Sequence, residues 1–195
     1  MSTNIKTKRQ ISITGVSNKL GVTHICLSIA NFLASGLRKK VLYIELSDDS
    51  ALLPLVGNCP VSIGEFNGFL YQGVHYVLGC SVGNAHRLLN LWDGFVVIDI
   101  SSLNSKSMEI FNRCEKKIVL GSMKAWCKRD IFYFINKWKG VTEIKGIDFF
   151  NKSNNKNEAN LFYREYKIPL TPLPFIDDPF SLKEEHFMAL SNMIR

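Results

Sequence analysis

The most constraining stretch of the chain is residues 11–33, ISITGVSNKLGVTHICLSIANFL. Residues 11–16 hold the β-branched Ile11, Ile13, Thr14 and Val16 and read as a buried strand. A loop holding Gly15 and Gly21 follows. From Val22 onward, Ile25, Ile29, Phe32 and Leu33 recur at helical spacing. A strand that runs through a glycine-bearing loop into a helix fixes where an anion can sit. Backbone N–H groups of the loop and of the first helical turn point into one concavity, and the helix dipole favours negative charge there.

The phosphate-loop consensus G-x-x-x-x-G-K-[ST] is matched in part. Gly15 leads, Gly21 stands where the second glycine belongs, Val22 occupies the lysine position and Thr23 the Ser/Thr position. Further on, Trp92-Asp93-Gly94-Phe95-Val96-Val97-Ile98-Asp99 sets a turn, four apolar residues and a carboxylate in a row. A carboxylate that ends a buried strand beside a phosphate loop holds magnesium, directly or through water.

On these residues the chain resembles the ParA/MinD family of deviant-Walker P-loop ATPases, whose loop reads K-G-G-x-G-K-[ST]-[ST]. Laid on that pattern, Ser17 takes the place of the signature lysine, Asn18 and Lys19 replace the paired glycines, and Leu20 fills the variable place. Gly21 is kept, Val22 replaces the phosphate lysine, Thr23 is kept and His24 follows. The phrase LSIANFLASGLRKKVLYIEL is similar to the family's first helix and second strand. The resemblance implies ATP bound over residues 17–24, magnesium on Thr23 and Asp99, and an Asn at a strand end, here Asn151, reading adenine. It sets the family's D-x-D at Glu45 and Ser47, with Asp48 and Asp49 next door. Ser47 and Asp48 are therefore the only catalytic candidates, and a serine does not orient water as a carboxylate does. Ser101-Ser102-Leu103 lacks the proline or glycine of the family's switch.

The rest of the chain alternates strands and helices. Strands are expected over 41–46, 75–78, 95–99, 117–121 and 144–150, with an edge strand and its exit over 168–176. Helices are expected over 22–35, 82–91, 108–114, 124–138 and 161–166, with a last one from about 178. Residues 1–9 read as a polar lead-in to a single domain over 1–195. The expected fold is α/β: a doubly wound, mostly parallel sheet with helices on both faces, P-loop NTPase-like. Ligands in such sheets bind beyond the carboxyl ends of the strands, where Thr23, Ser47, Asp99 and Asn151 fall.

A chain of 195 residues that is 46% hydrophobic and 21% charged can bury a sizeable core. No apolar run reaches the roughly 20 residues of a membrane span, and the polar start MSTNIKTKRQ is not a secretory signal. The five cysteines form no C-x-x-C pair, which suits reduced thiols in the cytoplasm. The net charge of +7 is scattered, as on an ordinary solvated face, and polyanion contact is the other reading. Over 124–138 the stripe Trp126, Ile131, Phe134, Ile135 and Trp138 is expected to face the core, with Lys124, Lys128, Arg129 and Lys137 outside. Aromatics interleaved with cations would otherwise suit nucleic-acid stacking.

Three functions remain in play. The first is a ParA/MinD-like pseudo-ATPase, an interaction or regulatory module with a protein partner or a homodimer and weak or absent hydrolysis. The second is an active ATPase using a relocated lysine, Lys19 or one in trans. The third is a basic ParA-like protein that binds DNA or another polyanion.

Overall fold

A computed structural model describes residues 9–47, 50–153 and 156–195. Most of the expected lead-in, Asp48, Asp49 and part of the asparagine-rich loop, Asn154 and Asn155, lie outside the described residues.

The elements in order are β1 (Arg9–Gly15), α1 (Val22–Asn31) running on through a π-helical turn (Phe32–Gly36), β2 (Val41–Leu46), α2 (Leu53–Val56), β3 (Pro60–Ile63), β4 (Phe66–Tyr71), β5 (Val74–Val77), α3 (Val82–Leu91), β6 (Phe95–Ile100), α4 (Ser105–Arg113), β7 (Lys116–Gly121), α5 (Lys128–Trp138), β8 (Asp148–Asn151), α6 (Lys156–Tyr166), β9 (Leu170–Pro172) and α7 (Glu184–Ile194). All nine strands join one sheet in the order β3-β4-β5-β2-β6-β1-β7-β8-β9. Only β4 runs against the rest, pairing antiparallel with β3 and β5. The expected doubly wound, mostly parallel α/β sheet is therefore what forms.

Side chains alternate across a strand, and here both faces are covered, so the central strands read as continuous apolar runs. Leu42, Ile44, Val96, Ile98 and Ile100 pack under α3, α4 and α5. Ile11, Ile13, Val41, Tyr43, Phe95 and Val97 pack under α1 and α7. The same parity puts Asp99 and Glu45 on the α1 face, at paired positions of β6 and β2. That parity brings a carboxylate to the helix that follows the glycine-bearing loop.

Several expectations are corrected. Arg9 belongs to β1 and not to a lead-in. The hairpin of β3 and β4 was not foreseen. It closes through Gly64 and Glu65, and the next turn, Gln72-Gly73, has positive φ at both residues, as a type I′ turn requires. Residues 144–146 form a 3₁₀ turn, and β8 begins only at Asp148. The edge strand is limited to Leu170–Pro172 by its prolines. The last helix starts at Glu184, later than expected. The helix expected over 124–138 begins at Lys128, and Trp126, in the turn before it, is 79% exposed rather than part of the core.

Candidate functional site

The loop after β1 is tightly folded. Val16 donates its N–H to the Leu120 carbonyl of β7 at 2.9 Å, so the chain leaves the sheet only after Gly15. A Cβ on Gly15 would lie 2.9 Å from the Ser17 carbonyl oxygen, 3.1 Å from a Val22 methyl and 3.4 Å from Leu20 Cδ1. The loop has thus closed over Gly15, with Val22 hydrocarbon laid against it. Lys19 and Gly21 have φ of 62° and 90°. Gly21 starts α1 in this left-handed conformation, which glycine adopts without steric cost. It brings no side chain to the first turn, and the turn's N–H groups stay uncapped for an incoming acceptor.

Thr23, in that first turn, donates its hydroxyl to Asp99 Oδ2 at 2.6 Å. Tyr43, from β2, donates its phenol to the same oxygen at 2.8 Å. Asp99 is fully buried, and its Oδ1 has no partner among the described residues. Burial pushes its carboxyl above the usual range, and the bonds from Thr23 and Tyr43 oppose that rise. Beside it, Glu45 is also raised, chiefly by burial and further by the Asp99 charge, and Glu45 Oε2 is likewise without a partner. Two buried carboxyls at the ends of adjacent strands, each with a bare oxygen, form an electronegative spot next to a hydroxyl.

These are hard oxygen donors of the kind magnesium takes. Among the described residues no group of three or more His, Cys, Asp and Glu forms a cage. Magnesium needs none, since it is commonly held by one or two carboxylates with substrate phosphates and waters. The donor set of Thr23 and Asp99 therefore fits this ion. At the loop position where the consensus places the lysine that bridges β- and γ-phosphate oxygens, this chain has Val22.

The remaining candidates are placed as follows. Ser17 is half-buried and Asn18 exposed; both line a small cleft with Ser101, Tyr133 and Lys137. Lys19 is exposed, and its carbonyl accepts from Lys152 Nζ at 3.3 Å. Leu20 is buried in the core beneath α1. His24 donates from Nε2 to the Ile176 carbonyl at 2.7 Å, because a carbonyl can only accept. Ser47 is half-buried just past the end of β2. Asn151 is buried at the end of β8; its Oδ1 accepts from the N–H of Met123 and from the N–H and hydroxyl of Ser153, at 3.0–3.1 Å. That carbonyl thereby joins the ends of β7 and β8.

A cavity of 450 Å³ opens beside the loop, lined by Leu20, Gly21, His24, Lys152, Phe175 and Ile176 among others. Three contributors escaped the sequence reading. Tyr43 gave no signal, because it meets Asp99 only through the pairing of β2 with β6. Glu45 was located but given no role. Lys152 follows Asn151 directly, and its position after a strand end was the clue to it. No helix among the described residues is long and apolar enough to cross a membrane.

No protein-family model matches the chain, and no curated protein matches it in sequence. Solved structures do. A putative plasmid partition protein from Borrelia burgdorferi, bound to AMPPNP, matches with a TM-score of 0.65 at 12% identity, over 96% of this chain and 97% of that one. A ParA family ATPase from Chlorobium tepidum matches with a TM-score of 0.65 at 10% identity, over 96% and 90%. The septum site-determining protein MinD from Pyrococcus horikoshii, complexed with Mg-ADP, matches with a TM-score of 0.52 at 14% identity, over 84% and 79%. With its central parallel strands and the glycine-bearing loop leading into α1, the chain has the α/β fold of the ParA/MinD ATPases.

Proposed function

We propose that this chain is a ParA/MinD-like pseudo-ATPase, a cytoplasmic single-domain module that acts through a protein partner or a second copy and hydrolyses ATP weakly or not at all. The observation that carries this reading is the contrast inside one loop. The Thr23–Asp99 pair is intact at 2.6 Å, whereas Val22 sets a methyl against Gly15 where an ammonium would reach the phosphates. Magnesium would rest on Thr23 and Asp99 and would neutralise phosphate charge, the chemistry it supplies in phosphoryl transfer. The uncapped N–H groups of α1 would hold phosphate oxygens. Of the catalytic candidates, Ser47 is a weak water-orienting group. Removing one strong electrostatic stabiliser commonly costs about 10²–10³ in rate, and this loop lacks both lysines of the family pattern.

The test is phosphate release from magnesium-ATP, with Val22→Lys beside the wild type. The wild type should stay near background, and Val22→Lys should tighten ATP binding at least about tenfold, a gain of ~1.4 kcal/mol. Wild-type turnover at the level of ordinary ParA ATPases, abolished by Asp99→Ala, would overturn the reading. One observation favours an active enzyme instead: two ammonium groups, of Lys19 and Lys152, belong to residues joined at the loop. Loss of such turnover in Lys19→Ala or Lys152→Ala would establish that second reading.

A further inference from the structure

The turn before α5 and the helix itself carry an outward ridge on which rings and cations alternate. Arg129, Tyr133 and Lys137 follow at spacings of four along α5, which set side chains along one line of a helical surface, and Trp126 stands exposed in the turn that leads into it. Trp126 is 79% and Tyr133 65% exposed. The opposite face, Ile131, Phe134, Ile135 and Trp138, is buried against the sheet. The helix is fixed in rotation, and the ridge has no core to turn toward. Lys124 Nζ lies 5.9 Å from the centre of the Trp126 ring, and Lys137 Nζ lies 6.0 Å from that of Tyr133. The acids near the ridge are few. Asp130 is half-buried in the first turn, and Glu158 faces Lys128 at 3.9 Å.

We propose that this ridge binds single-stranded nucleic acid, with bases stacked on Trp126 and Tyr133 and phosphates paired with Lys124, Arg129 and Lys137. Exposed rings flanked by ammonium and guanidinium groups match both repeating parts of such a strand, its base faces and its phosphates. A duplex would engage the cations and leave the rings idle, because its base faces are already stacked. An interfacial helix needs a broad apolar face, and here two rings stand apart with Arg129, Asn136 and Lys137 among them. An acidic peptide would meet the cations alone. The ridge carries no group set to read a sugar, so DNA and RNA strands should bind alike. Tyr133 and Lys137 also border the cleft of Ser17 and Asn18, so binding is measured without nucleotide.

The test uses the whole chain and a labelled 20-residue oligo(dT), with oligo(U) and a 20-base-pair duplex beside it. Trp92 and Trp138 are each only 6% exposed, so a change in tryptophan emission reports on Trp126. Oligo(dT) and oligo(U) should quench that emission and bind with a log–log salt slope near −2, from about three phosphate contacts at ~0.7 each. Trp126→Ala and Tyr133→Ala should each weaken binding about ten- to a hundredfold. Trp126→Phe should keep most of the affinity, and Lys137→Gln should flatten the slope by about 0.7. These positions lie on the surface, so the variants should melt like the wild type. The proposal is overturned if the double variant binds oligo(dT) as the wild type does, or if the duplex binds as tightly as the single strand. It is also overturned if oligo(dT) leaves the emission unchanged while phosphatidylserine vesicles shift it.

Discussion

Replacing Tyr43 by Phe removes one oxygen from the centre of the site and little else. The ring is fully buried and packs against Tyr76 with centroids 5.2 Å apart, and Phe preserves that contact. What is lost is the 2.8 Å bond to Asp99 Oδ2. A hydrogen bond to a charged group contributes about 1.5–3 kcal/mol net, and Asp99 is too deeply buried for water to replace the donor. Thr23 still donates to the same oxygen, so we expect a loss of about 2 kcal/mol at neutral pH. For a chain of this size that is a fall in Tm of about 4–8 °C. The pH dependence has a definite sign. Asp99 is already raised above its ordinary value, and the Tyr43 bond holds it down. A carboxyl with a raised folded pKa favours folding below its unfolded pKa, and that contribution is lost as pH rises through the folded pKa. Losing the donor raises the folded pKa further. The deficit of Tyr43→Phe is therefore largest where Asp99 is ionised and shrinks as pH falls through its raised pKa. Urea unfolding in neutral and mildly acidic buffers measures both. A deficit below about 0.5 kcal/mol at neutral pH, in the range of an ordinary surface change, or one that grows on acidification, would refute the reasoning.

The neighbouring phenol gives the opposite expectation. Tyr76 is fully buried, and its hydroxyl has no partner among the described residues, so Tyr76→Phe should stabilise by about 1 kcal/mol, by removing an unsatisfied polar group. Thermal melts of the two Tyr→Phe variants should shift in opposite directions. At Gly15 a methyl group would meet the Ser17 carbonyl at 2.9 Å. Gly15→Ala should therefore cost about 1–3 kcal/mol in urea unfolding, as overpacking does.

What was legible in the sequence was whatever depends on local pattern. The boundaries expected for β2 and α3 coincide with those observed, because Val41–Ile44 is an apolar run extended by Glu45 and Leu46 and Val82–Leu91 is helically periodic after a Ser81 cap. The parallel sheet and the place of the loop followed from element order alone. The antiparallel hairpin escaped because β3 is four residues long and mostly exposed, so its apolar pattern is faint. Trp126 was misassigned because the helical period was carried back to Lys124, four residues before Lys128, through a turn outside the observed helix. The Tyr43–Asp99 bond was out of reach, since residues 56 apart in the chain meet only through strand pairing. The loop's missing lysine could be read directly, but the Lys152–Lys19 contact, which spans 133 residues, could not.

The sheet order also sets a timetable for synthesis. β6 lies between β2 and β1, so β1 has no neighbour until either residue 95 or residue 116 has been made. At the usual 5–20 residues per second, the 80 residues from Gly15 to Phe95 take roughly 4–16 s to translate. Through that interval β1, which later lies inside the sheet between β6 and β7, has both hydrogen-bonding edges bare. A ribosome stalled before residue 95 would present this apolar segment to chaperones, and release beyond it would let the strand be enclosed from both sides.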